Sequence, residues 1–473
     1  MTHHASKSNG GVTTASDTET IGRLRAALAG ELIAEGDPGY EAARAVWNGM
    51  VDRRPALIAR VASDDDVIHA VRYARETGLL VSVRGGGHHI AGNALCDGGI
   101  VIDQSRRRAI TVDPQARRAT VEAGALLSDV DAATQAHGLA VPLGINSTTG
   151  IAGLTLGGGF GWLSRSYGLT VDNLTAAEVV TAEGALVRAS EAEHPDLFWA
   201  IRGGGGNFGV VTRFEFRLHP VGPNLLSGLV VYPIAQARSV LERYRAFTEK
   251  APDELTVWAV LRKAPPLPFL PADAHGTPVL VLAFLYAGAP AAGEALVEPL
   301  HRFGTPVGAH AGVQPYAAWQ QAFDPLLTAG ARNYWKSHNL TGLSDGLLDT
   351  LVDAAGRLPS AQCEIFVAAL GGATAAPKPD ATAYAHRDAR YVVNVHGRWE
   401  DRADDERGIA WARAFHRAAA PFATGGTYLN FMTEDEDDRV KAAYGSNLER
   451  LARVKHAYDP TNLFRVNQNI VPA

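Results

Sequence analysis

Two kinds of apolar periodicity divide the chain into predicted helices and strands. Apolar residues recur at helical spacing at 21–33, 64–76, 126–137, 234–247 and 291–303, and around Trp411 from residue 405 onward. Apolar runs of strand length occupy 79–83, 100–103, 119–122, 229–232, 255–261, 279–286, 333–340, 362–370 and 390–395. The irregular mixture in the first half predicts an α+β domain. After residue 218 strands dominate, which predicts a sheet covered by helices on one face and open to a substrate on the other.

Three glycine-rich stretches interrupt the first half of this pattern. They lie at 83–92, where three consecutive glycines precede two histidines, at 144–161 and at 202–211. A glycine turn lets the backbone approach a ligand closely and can point several N–H groups at a pyrophosphate. One such stretch alone is more often an ordinary turn, but three in one domain suggest an extended anionic ligand. None forms a strand-to-helix GxGxxG unit followed by an acidic residue at the Rossmann spacing, which argues against a Rossmann dinucleotide fold.

Composition and charge remove several classes of function. The 473 residues carry a formal net charge of −6 and a pI near 6.2, which gives no electrostatic footprint for nucleic acid. No stretch reaches the length of consecutive apolar residues that a membrane-spanning helix needs. The only cysteines, Cys96 and Cys363, cannot support a disulfide framework, and no CxxC or HExxH metal motif occurs. We therefore expect a cytoplasmic protein that acts on a small molecule, as a monomer or a homodimer.

Several motifs together resemble one enzyme family. His88 after the glycine triplet, the loop ending at 157–161, and the segments 169–174 and 196–209 are similar to motifs of the berberine bridge enzyme-like FAD-linked oxidases, in the vanillyl-alcohol oxidase superfamily. The tail at 444–470 resembles the C-terminal signature of that family. The resemblance spans almost the whole chain. It implies an α+β, two-domain PCMH-type FAD-binding fold with an inserted substrate domain, an antiparallel sheet backed by helices.

The resemblance and the change of pattern together predict four segments. Residues 1–19 are expected to be a disordered lead, 20–218 the FAD-binding domain, 219–410 the substrate-binding domain, and 411–473 a segment that returns to complete the FAD domain. The flavin is then expected between the two domains.

The resemblance implies FAD as the cofactor, bound by the three glycine-rich loops and the C-terminal signature. The implied FAD-binding residues are Arg84, Gly85, Gly86, Gly87, His88, His89, Gly92, Asn146, Thr148, Thr149, Gly150, Gly153, Leu154, Gly157, Gly158, Gly161, Gly206, Asn207, Val210, Val211, Asn430, Asn467 and Asn469.

His88 resembles the histidine that family members bond covalently to the flavin 8α-methyl group. The neutral imidazole is the form that is expected to react. Attachment should therefore fade at acidic pH, as the ring protonates near the ordinary histidine pKa of about 6.5. Many relatives form a second bond from a cysteine in the middle loop, where this chain has Asn146. A single covalent attachment, through His88, is therefore expected.

The sequence differs from the family pattern at the position that often holds the general base in plant relatives. Plant relatives often use a tyrosine at the last position of a Tyr-x-Asn-Tyr motif, where this chain has Phe431. The candidate replacements are polar residues near that motif or on one face of a predicted substrate strand, namely Tyr428, Asn430, Tyr334, Lys336, His338, Asn394 and His396. For each sheet residue, burial with a satisfied hydrogen bond is the plainer interpretation.

The implied activity is that of an FAD-dependent oxidase. It would remove hydride from an alcohol, a polyketide, a sugar or an amine, in secondary metabolism, and reduce dioxygen to hydrogen peroxide. In relatives a residue three positions after the missing cysteine gates dioxygen, with valine permissive; Thr149 here is close to valine in volume, which favours an open gate. Two alternatives stay open: a flavin dehydrogenase with another electron acceptor, and a flavin-holding resistance protein that sequesters a compound.

Overall fold

A computed structural model describes residues 15–473. The predicted disordered lead lies outside the described residues as far as residue 14, and the first helix begins at Ala15. The helices of the amino-terminal part are α1 Ala15–Ala27, α2 Tyr40–Arg44, α3 Asp64–Thr77, α4 Leu127–Gln135, α5 Ile151–Leu156, α6 Ser164–Tyr167 and α7 Pro195–Ile201. Its strands are β1 Glu31–Ala34, β2 Leu57–Arg60, β3 Val81–Arg84, β4 Ile100–Asp103, β5 Ile110–Asp113, β6 Arg118–Glu122, β7 Leu139–Ala140, β8 Leu174–Val180, β9 Leu186–Ser190, β10 Val210–Arg217 and β11 His219–Pro220.

The amino-terminal part contains two main sheets. The first has the order β1-β2-β4-β3, with β4 parallel to both of its neighbours, and the second is an antiparallel sheet in the order β5-β6-β10-β8-β9. Helix α3 covers the first sheet with an apolar face at helical spacing, made of Val67, Ala70, Val71 and Ala74. Ser63 caps this helix by accepting from the Asp66 N–H, and Gly78 ends it in a left-handed conformation (φ 70°).

The second part is built around one sheet of seven antiparallel strands, in the order β15-β12-β14-β13-β17-β18-β16. These strands are β12 Asn224–Pro233, β13 Leu255–Lys263, β14 Pro278–Tyr286, β15 Gly308–Pro315, β16 Arg332–Leu340, β17 Glu364–Ala369 and β18 Tyr391–Trp399. Its helices are α8 Ala237–Thr248, α9 Pro290–Val297, α10 Tyr316–Gln320, α11 Asp345–Ala355 and α12 Asp405–Ala419.

Alternation along the strands assigns the two faces of this sheet. Val257 of β13 and Val393 of β18 belong to the core that also contains Leu351 of α11 and Trp411 of α12. Residues of the opposite parity, such as Trp258 and Phe366, point toward the amino-terminal part. Helices α8, α9, α11 and α12 all contribute to the first core, so they back one face of the sheet, as the sequence predicts.

The chain returns to the amino-terminal part after α12, through helices α13 Val440–Tyr444 and α14 Leu448–Tyr458. Tyr444 and Leu451 share a core with Phe198 and Phe208. The predicted boundary at 410/411 falls inside α12, whose Trp411 and Phe415 pack in the core of the seven-stranded sheet, so the substrate part extends beyond residue 411.

Most of the predicted helices and strands are confirmed, although the structure contains further strands that the pattern did not predict. The six strands predicted after residue 218 are all present, but the sequence pattern missed β15. The helix predicted for 21–33 ends at Ala27 because Gly30 precedes the short strand β1. Within residues 15–473, no helix combines the length and the apolar character needed to cross a membrane.

Candidate active site

A long cavity separates the glycine-rich loops from the open face of the seven-stranded sheet. It encloses about 1790 Å³, counting the space that is open to solvent. The loops after β3 and before α5 line one side, the start of β10 and the C-terminal tail line a second, and β16, β17 and β18 close it with Trp335, Phe366 and His396. The cavity therefore lies at the predicted position, between the two parts of the chain.

Glycines give this cavity its backbone walls. The first two loops touch directly, because a Cβ on Gly86 would lie 2.4 Å from the Gly150 nitrogen and one on Gly150 would lie 2.3 Å from the Gly86 nitrogen. Gly153 and Gly206, which also border the cavity, face open space, where a Cβ would meet no atom within 4 Å. Only glycine at 86 and 150 permits this approach, and it leaves bare backbone toward the ligand.

The polar atoms around the cavity fit FAD. Gln104 Oε1, His89 Nδ1 and Asn467 Oδ1 are buried, border the cavity and have no hydrogen-bond partner within the described chain. Buried polar atoms without partners are costly, and the two amide oxygens can only accept, so they indicate a ligand with hydroxyl or N–H donors. A cofactor with ribose and ribityl hydroxyls and ring N–H groups supplies such donors.

Most of the residues that the sequence assigned to FAD border this cavity. They are Gly85, Gly86, Gly87, His88, His89, Asn146, Thr149, Gly150, Gly153, Leu154, Gly157, Gly206, Val210, Val211, Asn430 and Asn467.

Seven assigned residues lie behind the lining. Three of them are glycines that pack closely against neighbours. Gly92 lies against Val51, Gly158 lies against Tyr384 and Tyr428, and Gly161 lies against the Leu143 carbonyl. Arg84 donates to the Ala43 carbonyl, Thr148 contacts His88, and Asn469 is half-buried. Asn207 is fully buried and ties the tail to the third glycine loop, since it donates to the Gly204 and Gln468 carbonyls and accepts from the Ile470 N–H. These seven residues shape the loops around the cavity.

His88 is held at the edge of the cavity by two neighbours. Its ring stacks on Trp47, with centroids 4.9 Å apart, and its Nε2 lies 2.9 Å from the Thr148 hydroxyl. The contact with Thr148 occupies one ring nitrogen and leaves Nδ1 for another bond. Desolvation lowers the pKa of His88 to about 3, so the imidazole is neutral across the physiological range. Attachment is therefore expected to fade at a lower pH than 6.5.

The middle loop is fastened to the substrate part. Asp324 accepts from the Ser147 N–H at 2.9 Å with one carboxylate oxygen and from the Ser147 hydroxyl with the other. Next to this contact, Gln320 of α10 donates to the buried Asp131 carboxylate and to the Gly144 carbonyl, at 3.2 and 3.3 Å. The loop that carries Asn146 and Thr149 is therefore positioned from both sides of the cavity.

Three candidate bases lie on the wrong face of the sheet. Tyr334, Lys336 and His338 do share one face of β16, as their parity predicts, but that face packs against α12 and the segment around Asp435. Tyr334 and Lys336 each contact Asp435 at 2.7 Å, and His338 Nε2 lies 2.9 Å from the His416 carbonyl. Sequence parity shows which residues share a face but cannot show which face meets the cofactor, so this expectation is wrong.

His396 borders the cavity and is oriented by a carboxylate. Its Nδ1 lies 3.3 Å from Glu364 Oε1, and Glu364 Oε2 accepts from Arg262 at 2.7 Å. His396 Nε2 is buried and has no partner in the part of the chain that the structure describes. Burial raises the pKa of Glu364, but the Arg262 charge and the His396 contact outweigh this and hold it below its ordinary value. An ionised Glu364 accepts a hydrogen bond from Nδ1, so the proton of the neutral imidazole lies on Nδ1. The lone pair then lies on Nε2.

The other candidate residues are Asn394, Tyr428 and Asn430, and the structure gives each of them a different setting. Asn394 shares the face of His396 but is fully buried outside the cavity lining, and neither end of its amide has a partner among the described residues. The Tyr428 hydroxyl accepts from the Gly159 N–H and from Asn430, and burial raises the pKa of Tyr428 to about 12. Asn430 borders the cavity and also donates to the Leu154 carbonyl. Phe431 stands in the lining with its ring edge-on to Trp335.

The sequence analysis missed Glu364 and Trp335. Trp335 lies beside His396 on the neighbouring strand, with ring centroids 4.1 Å apart. Glu364 had a signal, because it is the one ionisable residue in the apolar strand β17, and a charge in a buried strand needs a partner. Cys96 and Cys363 are both buried free thiols outside the lining. Among residues 15–473, no group of three or more histidine, cysteine or acidic residues could hold a metal ion.

Comparison with known families and proteins agrees with this geometry. The family model described as FAD binding domain matches residues 55–190, and the model described as Berberine and berberine like matches residues 427–471. An FAD-linked oxidoreductase of Dictyostelium discoideum is 33% identical over 90% of this chain and 91% of its own length. The (R)-6-hydroxynicotine oxidase of Paenarthrobacter nicotinovorans is 32% identical, with coverage of 94% and 97%.

A solved structure extends the likeness to three dimensions. The xylooligosaccharide oxidase from Myceliophthora thermophila C1, in complex with xylobiose, superposes with a TM-score of 0.84 at 26% identity, over 96% of this chain and 99% of that one. The architecture is the α+β, PCMH-type FAD-binding fold, and the chain is an FAD-linked oxidoreductase. With a relative 33% identical over 90% of its length, and with both family models matched, the chain belongs to the berberine bridge enzyme-like FAD-linked oxidoreductases.

Proposed function

We propose that this protein is an FAD-dependent oxidase in which His396 is the general base. The observation that carries the proposal is the chain of contacts Arg262–Glu364–His396, which ends in an unpartnered imidazole nitrogen at the cavity. The names of the relatives, a hydroxynicotine oxidase and a xylooligosaccharide oxidase, support the oxidase reaction but differ in substrate. The chemistry that bound FAD would supply is a hydride acceptor for the substrate carbon and a two-electron donor to dioxygen, with hydrogen peroxide as the product.

His396 would supply the proton acceptor that the family tyrosine supplies elsewhere. A substrate hydroxyl or amine at the cavity would donate its proton to Nε2 as the hydride leaves the adjacent carbon. The resulting imidazolium would be stabilised by Glu364, whose negative charge Arg262 maintains. Burial lowers the pKa of His396 below its ordinary value, so the ring is neutral, and able to accept a proton, at neutral pH.

Tyr428 and Asn430 would act as positioning residues. The Tyr428 hydroxyl is already bonded to the Gly159 N–H and to Asn430, and its pKa of about 12 keeps it protonated. Both side chains hold the loop that ends in the second glycine triplet against the cavity. This arrangement supports His396, rather than Tyr428, as the base.

His88 would attach the flavin by one covalent bond to the 8α-methyl carbon. A neutral imidazole with an available nitrogen supports this assignment, and Asn146, which borders the cavity, offers no thiol for a second bond. Thr149 borders the cavity as well and would leave the approach of dioxygen open.

The experiment that tests the function is a peroxide-coupled screen of the holoenzyme with alcohols, amines and oligosaccharides in air. An oxidase produces peroxide in proportion to the oxidised product. A dehydrogenase reduces its flavin anaerobically but gives peroxide slowly in air, whereas a sequestering protein binds the compound without turnover. His396→Asn should remove turnover while the flavin spectrum is retained.

A further inference from the structure

A second chamber opens from the active-site cavity on the substrate side. It encloses about 740 Å³, counting the space open to solvent. Trp258, Phe366, Glu364, Ile145 and Leu327 border both spaces, so the chamber adjoins the place where His396 stands. Anything oxidised beside His396 can extend into it.

Aliphatic side chains from three strands form the chamber wall. Val231 on β12 and Val260 on β13 both face Val281 on the strand between them, and Leu229 lies two positions before Val231. The proline-rich segment 264–270 covers the wall, with Leu267 and Leu270 packed against this cluster. The segment is therefore held to the wall by apolar contacts.

The charged side chains among the described lining residues of the chamber pair with each other. Arg262 and Glu364 form an ion pair at 2.7 Å, and their side chains are 10% and 13% exposed. Among the described lining residues no hydroxyl, amide or unpaired carboxylate side chain is present. A sugar in this chamber would lose its hydrogen bonds to water without replacement, at a cost of about 1–3 kcal/mol for each buried group.

Two tryptophan side chains line the second chamber. Trp162 and Trp258 stack with centroids 4.6 Å apart, both are almost fully buried, and neither Nε1 has a partner within the described chain. An indole N–H can only donate a hydrogen bond. Apart from the paired Arg262 and Glu364, these indoles are the only polar side chains among the described lining residues.

We propose that the substrate is uncharged and carries an apolar tail that occupies this second chamber while its oxidisable carbon lies beside His396. This inference rests on the proposed function, because it names the substrate class of the same site. It selects an aryl or alkyl alcohol, such as a polyketide, over an oligosaccharide.

The test is a binding series that does not depend on turnover. The probes are acetophenone and its 4-ethyl, 4-butyl and 4-hexyl derivatives, neutral ketones that cannot lose hydride from a carbinol carbon. Titration calorimetry of the holoenzyme should show the dissociation constant falling by about fourfold for each added methylene, until the chamber is full. The heat-capacity change should become more negative along the series, the mark of apolar burial. Xylobiose, run as a probe, should give no binding.

Matched variants locate the tail. Val260 is half-buried at the chamber wall, and Val260→Phe should abolish the gain beyond the ethyl derivative while acetophenone itself binds within twofold of wild type. Leu229→Phe, at the same wall, replaces it if the first variant misfolds. Val313→Phe is the control, since Val313 is 54% exposed on β15 and lies outside both spaces.

Dissociation constants that stay flat along the series in wild type, or a full dependence on length in Val260→Phe and Leu229→Phe, would overturn the proposal. Xylobiose binding with a flat ketone series would point to a sugar site instead. A peroxide assay with the matching 1-(4-alkylphenyl)ethanols separates the two levels of inference. Length-dependent binding, with no peroxide from these alcohols or from any compound of the peroxide-coupled screen, supports the chamber and contradicts the oxidase. Peroxide with flat binding does the reverse.

Discussion

Oε1 of Glu364 lies 3.3 Å from Nδ1 of His396 across two neighbouring strands, and the other nitrogen of that imidazole has no partner within the described chain. The contact decides the tautomer, because an ionised carboxylate accepts only from a protonated Nδ1. Arg262 on the next strand keeps the carboxylate ionised. A lone histidine would be free to rotate, whereas this one presents a fixed lone pair to the cavity.

Replacing His396 by asparagine should lower the rate of anaerobic substrate oxidation by about 10²–10⁴-fold, because a positioned base contributes that factor. The wild-type kcat/KM should rise with pH through a pKa below 6.5, since burial lowers the pKa of His396 and only the neutral ring accepts a proton. Stopped-flow reduction of the bound flavin from pH 4.5 to 8 measures both effects.

Glu364→Gln provides the companion variant to that experiment. It keeps an acceptor for Nδ1 but removes the charge that stabilises the imidazolium, so the apparent pKa should fall further and the rate loss should be smaller. His219→Asn is the control, because His219 stacks on Tyr167 away from the cavity. A His396→Asn enzyme that retains its rate within threefold would rule out this residue as the base.

The fold and the cofactor cavity could be predicted from sequence because their signals are local. Glycine turns, strand runs and the tail motifs each identify themselves within a few residues, and Gly86 and Gly150 do meet at the cavity. The base could not be identified in this way. Parity grouped Tyr334 with Lys336 correctly, but the choice between the two faces depends on how α12 packs on the sheet.

Thr149→Leu should slow the reoxidation of the reduced enzyme by air. Thr149 borders the cavity, and leucine would add volume in a confined approach; a steric penalty of about 1–3 kcal/mol corresponds to a factor between about 5 and about 160. Thr149→Val is the matched control and should react within twofold of wild type. Rapid mixing of the reduced enzyme with aerated buffer gives the rate. Equal rates for all three proteins would show that residue 149 is no gate.

Asp131→Asn should make the protein less sensitive to rising pH. Burial raises the pKa of Asp131 from 3.8 to about 7, with Gln320 as its one side-chain donor and Tyr316 nearby. Because the folded-state pKa lies above the unfolded one, its contribution to stability is complete below pH 3.8 and is lost progressively as the pH rises to about 7. The loss is on the order of 4 kcal/mol.

Chemical unfolding at pH 5 and pH 8 measures this difference. The wild type should lose more stability between the two values than Asp131→Asn, whose amide can donate to the unpartnered Gln320 Oε1. Asp273→Asn, at an exposed position, should follow the wild type. A pH dependence that is the same in all three proteins would place the titration elsewhere.

His88→Ala should give protein that releases its flavin on denaturation, whereas the wild type should remain yellow, and fragmentation of its tryptic peptide 85–106 should place the flavin on His88. The reason is the supply of nucleophiles at the cavity: His88 offers a ring nitrogen, Asn146 offers only an amide, and Cys96 and Cys363 are buried elsewhere.

The pH dependence of flavin attachment adds a second check. Because desolvation places the pKa of His88 at about 3, apoprotein incubated with FAD should become flavinylated to the same extent at pH 5.5 and 7.5. His89→Ala is the matched control, and it should keep the covalent bond because His89 Nε2 instead contacts Gln468 at 3.3 Å. Flavin that stays attached in His88→Ala, or that fragmentation places on Cys96 or Cys363, would overturn the assignment.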